Sequence, residues 1–155
     1  MDIYFLRHGD AADTAPGETD AQRPLTDKGH KQARRAAKWF AKSGITFSAI
    51  VSSPLLRACQ TAEPVAGKLG VEMIADQRLS GGMITVSALT ELIAELGNPA
   101  SLLLVGHEPD FSVIIGRLTG GNIEMKKAAI AMVTCDHVET GSGELRFIVP
   151  PALRR

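Results

Sequence analysis

Short apolar runs separated by helix-length amphipathic stretches constrain this chain more than any other feature of its sequence. Runs of strand character occur at residues 2–7 (DIYFLR), 48–52 (SAIVS), 71–75 (VEMIA) and 101–105 (SLLLV), and a further pair follows near 128–136 and 144–149. Strands and helices alternating in this way pack as a largely parallel sheet covered on both faces. The expected fold is therefore α/β, a three-layer αβα sandwich on a mostly parallel six-stranded sheet within a single domain spanning 1–155. Gly141 and Gly143 in ETGSGE mark a turn between the last two strands, which should form an antiparallel C-terminal pair.

The helices carry their own punctuation. A first helix should open at Thr26 and close near Ser43-Gly44, with Ala33, Ala36, Ala37 and Phe40 forming a narrow face that can lie close on a sheet. Trp39 reads as packing. A second should start in SSPLLR with Ser53 as N-cap and Pro54 in its first turn, and Pro64 should kink or end it. A third should run from about Val86 to Leu96, and a fourth begins at EPDFS with Pro109 at its start. Residues 10–24, DAADTAPGETDAQRP, are polar and aperiodic and read as a loop hanging from the first strand's end.

Ionisable residues sit where strands give way to helices. The first strand ends in Arg7-His8-Gly9, the second leads into a helix whose first turn carries Arg57, and SLLLVGH ends in His107 before another helix start. In a parallel sheet these ends share one edge, where an open α/β sheet keeps its ligand site. Two arginines and two helix N-termini converging there suit a phosphate, with Gly9 permitting close backbone approach. Like charge from Arg7 and Arg57, together with burial, should keep His8 neutral and hence nucleophilic. Attack on phosphorus would give a phosphohistidine intermediate, with His107, as donor or cation, holding an oxygen of the phosphoryl group.

LRHG at 6–9, PLTDKGHKQA at 24–33, SSPLLRACQTA at 52–62 and VGHEP at 105–109 together resemble the histidine phosphatase superfamily, whose fold is phosphoglycerate mutase-like. By matching position, His8 resembles its phospho-accepting nucleophile, and Arg7, Arg57 and His107 resemble its phosphate pocket. The short length, the RHGDA start and GHEPDFS are most similar to the SixA-type phosphohistidine phosphatases. That resemblance implies action on phosphohistidine of signalling phosphotransfer proteins. One departure stands out: where larger relatives carry an acidic proton donor, this chain reads DQRLSGGMI at 76–84, with Ser80 and two glycines. Asp76, Asp10 and Glu108 are candidate substitutes, each weighed against a capping or surface role.

Composition narrows the remaining choices. Seventeen basic residues balance seventeen acidic ones, so no general field attracts nucleic acid or an anionic membrane. Two cysteines are too few for a disulfide framework, no basic leader precedes IYFLR, and no apolar run approaches the ~20 residues that span a bilayer. A cytoplasmic protein is expected. A metal held by His8, Asp10, His107 and Glu108 is a rival reading, but two arginines in one pocket would repel a cation, and no cofactor is expected. His30 and His137 read as solvated, Cys59 as packing, and Leu153-Arg154-Arg155 as a frayed tail. Three functions stand: a phosphohistidine phosphatase acting on a phosphorylated protein, a phosphomonoesterase acting on a small phosphorylated metabolite, and a non-catalytic phosphoprotein-binding module, which would need the arginines but no nucleophile.

Overall fold

The computed structural model describes residues 1–82 and 84–154. In chain order they form β1 (Asp2–Arg7), α1 (Asp27–Lys42), β2 (Ala49–Ser52), α2 (Leu56–Leu69), β3 (Met73–Ala75), α3 (Val86–Glu95), β4 (Ser101–Gly106), α4 (Asp110–Thr119), β5 (Ile130–Cys135) and β6 (Gly143–Val149). The sheet runs β3-β2-β4-β1-β5-β6. Its first four strands are mutually parallel, and β5 is antiparallel to both β1 and β6. Side-chain alternation divides the core into two layers. Ile3, Phe5, Leu102 and Leu104 meet Leu92, Phe111 and Ile115 beneath α3 and α4. Tyr4, Leu6, Leu103 and Val105 meet Ala36, Phe40, Ala62 and Val65 beneath α1 and α2. The three-layer arrangement with a mostly parallel sheet agrees with the sequence reading. Among the described residues no helix is long and apolar enough to cross a membrane.

Several local expectations need correction. The N-cap of α2 is Leu55, not Ser53; the Ser53 hydroxyl accepts the Leu55 N–H at 3.2 Å and so stands just outside the helix. Pro64 does not end α2, which continues to Leu69. An interior proline costs about 3 kcal/mol, and burial of Ala58, Ala62 and Val65 on either side of it opposes that cost. Only Met73–Ala75 of the expected third strand pairs, as a short sheet edge. The tail is not frayed through Arg154: Pro151–Leu153 form a 3-10 turn, and the Arg154 guanidinium is buried with Nη2 donating to the Ala128 carbonyl. Arg155 lies outside the described residues.

The first turn of α1 packs backbone to backbone against the loop that leaves β1. Thr26 caps the helix by accepting the Gly29 N–H at 3.1 Å, and its own N–H bonds the Asp10 carbonyl at 3.0 Å. A Cβ on Gly29 would stand 2.0 Å from the Asp10 carbonyl oxygen, and one on Gly9 would stand 2.9 Å from that of Gly29. Gly→Ala in a helix normally stabilises by about 0.8–1.0 kcal/mol. Gly67, exposed in α2 with open space around it, should show that gain. Gly29→Ala should instead destabilise by roughly 1–3 kcal/mol, because the added methyl displaces main chain. Urea denaturation of the two variants checks the opposite signs; a Gly29→Ala protein as stable as its parent would refute the close contact.

Candidate active site

Strand register sets the site. Arg7 is level with Gly106, and Ser52 with Val105, so β1, β4 and β2 deliver their last residues to one edge. There the His8 N–H bonds the Gly106 carbonyl at 2.9 Å, and the Ser53 N–H bonds that of Val105 at 2.8 Å. His8, Arg57 and His107 are buried, and the two imidazole rings lie 5.1 Å apart. Two residues of the SSPLLRACQTA stretch tie the pieces together. Thr61 accepts the Gly9 N–H at 3.1 Å and donates to the Arg57 carbonyl at 2.7 Å, while Gln60 accepts the Leu25 N–H at 2.8 Å.

Hydrogen bonding bears on the tautomer of each ring. His8 Nδ1 lies 2.7 Å from the Gly9 carbonyl, which can only accept, so Nδ1 carries the hydrogen and Nε2 keeps a free lone pair. His107 Nε2 lies 2.8 Å from the Ser53 hydroxyl. The hydrogen of that buried hydroxyl has no acceptor other than Nε2 among the described residues, an arrangement that leaves Nδ1–H of His107 as a donor. Burial is the main cause that lowers His8 to about 4, opposed by the Gly9 hydrogen bond and reinforced by Arg57, Arg7 and Arg23. His107 falls to about 3, again chiefly through burial, with His8 and Arg57 adding to the effect.

Arg7 donates through Nη1 to the Met125 carbonyl at 2.7 Å, and Arg57 bonds the Asp20 carbonyl at 2.8 Å and the Asp20 carboxylate at 3.0 Å. The Nε of each is buried with no partner among the described residues. Asp20 and Arg23 come from the loop expected to hang free, which is anchored by a 3-10 turn at Asp20–Gln22 and a bridge between Ala11 and Leu25. Sequence reading missed both residues, since no periodicity marks them. It also missed Asp110, whose two carboxylate oxygens accept the Gly82 N–H at 2.9 and 2.8 Å and so hold the Ser80–Gly82 loop.

Each carboxylate considered as a proton donor has another task. Asp10 accepts from Thr26 at the start of α1 and from Lys127, both at 2.8 Å, and the Lys127 bond leads in holding it below the usual carboxylate range. Asp76 caps a 3-10 turn and is gripped by Arg78 at 2.7 Å, which lowers it likewise. Glu108 accepts from the Ser112 N–H at 2.9 Å and from the Ser112 hydroxyl. Asp20 is paired with Arg23 and Arg57, which lower it. The four-ligand metal site is not assembled, because Asp10 and Glu108 are turned to these partners. Among the described residues no group of three His, Cys, Asp or Glu is placed to hold a metal ion. Cys59 donates to the Ser53 carbonyl, and burial raises its thiol.

Both histidines are held neutral by the fold, so the unfolded chain takes up protons first as pH falls below about 6.5. Stability contributed by the neutral rings is present above that pH and is lost as pH falls toward about 4 for His8 and about 3 for His107. Replacing both by asparagine should flatten urea-unfolding midpoints between pH 6.5 and 4; an unchanged slope would mean that the rings are solvated.

The model of the histidine phosphatase superfamily (branch 1) matches residues 3–81, a stretch that includes Arg7, His8 and Arg57. The phosphohistidine phosphatase SixA of Escherichia coli is 32% identical over 157 residues, covering 97% of this chain and 94% of its own. An uncharacterised protein of Picosynechococcus sp. is 37% identical over 140 residues, covering 84% and 82%. The solved structure of the protein histidine phosphatase SixA complexed with tungstate superposes with a TM-score of 0.84 at 30% identity, covering 98% of each chain. With likeness at this level running nearly end to end, the chain belongs to the histidine phosphatase superfamily and is a phosphatase of the SixA-like type.

Proposed function

We propose that this protein hydrolyses phosphohistidine on signalling phosphotransfer proteins by way of a phosphohistidine on its own His8. The carrying observation is that Asp10, Asp20, Asp76 and Glu108 are all committed to cations or helix starts, so none is poised to protonate a departing alkoxide. A phosphate ester needs that proton, and its absence costs roughly 10²–10⁴ in rate. Phosphohistidine expels imidazole, whose reference pKa of about 6.5 lets it take a proton from water and leave uncharged.

His8 Nε2 attacks phosphorus, forming a P–N bond as the substrate's P–N bond breaks and its electron pair returns to the departing ring. Arg7, Arg57 and Nδ1–H of His107 hold the phosphoryl oxygens. Water then attacks phosphorus, the bond to His8 breaks, the lone pair returns to Nε2, and inorganic phosphate leaves. The likeness to phosphohistidine phosphatase SixA of Escherichia coli supports this reading.

Rapid quenching after exposure to labelled phosphohistidine should leave label that is stable in alkali and lost in acid, and a His8→Ala protein should retain none. Label persisting in that variant would remove His8 from the nucleophile's role. Arg57→Ala should lower turnover about 10²–10³-fold, as loss of one electrostatic donor does. In kcat/KM, a phosphohistidine peptide should outrun sugar phosphates and phosphoserine peptides. If a sugar phosphate is hydrolysed as fast, the enzyme is a small-molecule phosphomonoesterase.

A further inference from the structure

Lys28, Lys31, Arg35, Lys38 and Lys42 recur along α1 at intervals of 3, 4, 3 and 4 residues, which sets five exposed cations in one stripe. At 1.5 Å per residue the stripe is about 21 Å long. Among the described residues none of the five forms an ion pair, although the chain as a whole is balanced at 17 basic and 17 acidic residues. The stripe walls a groove whose other side is the C-terminal turn. One hollow of about 630 Å³ is lined by Arg35, Lys38, Trp39, Lys42, Ala152 and Arg154. A second of about 340 Å³ runs on from it, sharing Arg35 and Ala152 and adding Lys28, Lys31 and Gln32.

The groove's walls are bonded to the backbone on either side of His8. Gln32 accepts the Asp10 N–H at 2.8 Å, two residues beyond His8. Arg154, buried in the groove wall, donates to the Ala128 carbonyl, and the Ala128 N–H bonds the His8 carbonyl at 3.0 Å. The Nε and Nη1 of Arg154 have no partner among the described residues. An unpaired buried guanidinium beside a row of unpaired cations favours a negatively charged occupant.

We propose that this groove is the docking surface for an acidic stretch of the phosphoprotein substrate that flanks its phosphohistidine. The inference rests on the phosphohistidine reading above. Because the groove is built on the segments that also carry His8, a molecule presenting a phosphoryl group to His8 is the one placed to lie along it, which favours the phosphoprotein over nucleic acid or membrane. Carboxylates along the stripe would steer the encounter and fix its register, an effect that salt screens over about 10 Å at 0.1 M.

Two phosphohistidine peptides test it, one with an acidic flank of about six residues, ~20 Å when extended, and one with a neutral flank. At low salt the parent enzyme should prefer the acidic peptide about tenfold or more in kcat/KM, chiefly through KM, and should lose that preference as salt is added. A Lys31→Glu/Arg35→Glu/Lys38→Glu protein should lose the preference while hydrolysing free phosphohistidine at the parent's rate, which also reports an intact fold. Equal use of both peptides by the parent, or an unchanged preference in the variant, overturns the docking surface and leaves the substrate reading standing. Failure of the parent to hydrolyse any phosphohistidine overturns both. Loss of binding to duplex DNA or anionic vesicles in the variant, with the peptide preference intact, overturns it in favour of those partners.

Discussion

Parallel pairing of β1 with β4, and of β4 with β2, is the constraint on which the site depends. It brings Arg7 level with Gly106 and Ser52 level with Val105, so the residues that follow, His8, His107 and Ser53, emerge side by side. A one-residue slip in either ladder would turn strand side chains to the opposite face and break both core layers at once. The same hydrophobic alternation that stabilises the sheet therefore also sets the 5.1 Å spacing of the two imidazole rings. Burial then follows from packing, and it is burial above all that keeps both rings unprotonated.

Around this neutral pair the charged groups are arranged by sign. Guanidiniums from Arg7 and Arg57 face inward, whereas the nearby carboxylates are each drawn to a cation or a helix start. Asp20 is the exception in position though not in state: it reaches Arg57 from a mostly exposed side chain, where water weakens the pair. Arg57 is thus oriented by a contact that another anion could compete with. On the proposed reading, a phosphoryl dianion would win that competition because two guanidiniums and Nδ1–H of His107 would act on it together.

Much of this was legible in the sequence because it is local. Arg7-His8-Gly9 and His107 sit directly at strand ends, Arg57 lies in a helix's first turn, and Thr26 caps α1 as its residue type suggests. What was hidden depends on contacts between distant residues. Asp20 meets Arg57 across 37 positions within an aperiodic loop, and Asp110 holds Gly82 across 28. Ser53 reads as an N-cap and proves to be the partner of His107, a role that only the packing of β2 beside β4 confers. Arg154 reads as tail because two charged residues at a terminus usually are; its burial requires Ala128, held with a φ of 58°, to offer its carbonyl.

The bond from Arg154 to Ala128 has a temporal side. The peptide joining His8 to Gly9 is made long before residue 128, yet its carbonyl is bonded by Ala128, and the Ala128 carbonyl is in turn bonded by Arg154. During synthesis the backbone that carries His8 stays unbraced from this side until residue 154 has cleared the exit tunnel. Because β1 and β2 meet only through β4, the two strands that lead to His8 and Ser53 likewise wait for later residues, and the turn at Pro151–Leu153 completes the bracing of the first strand's end.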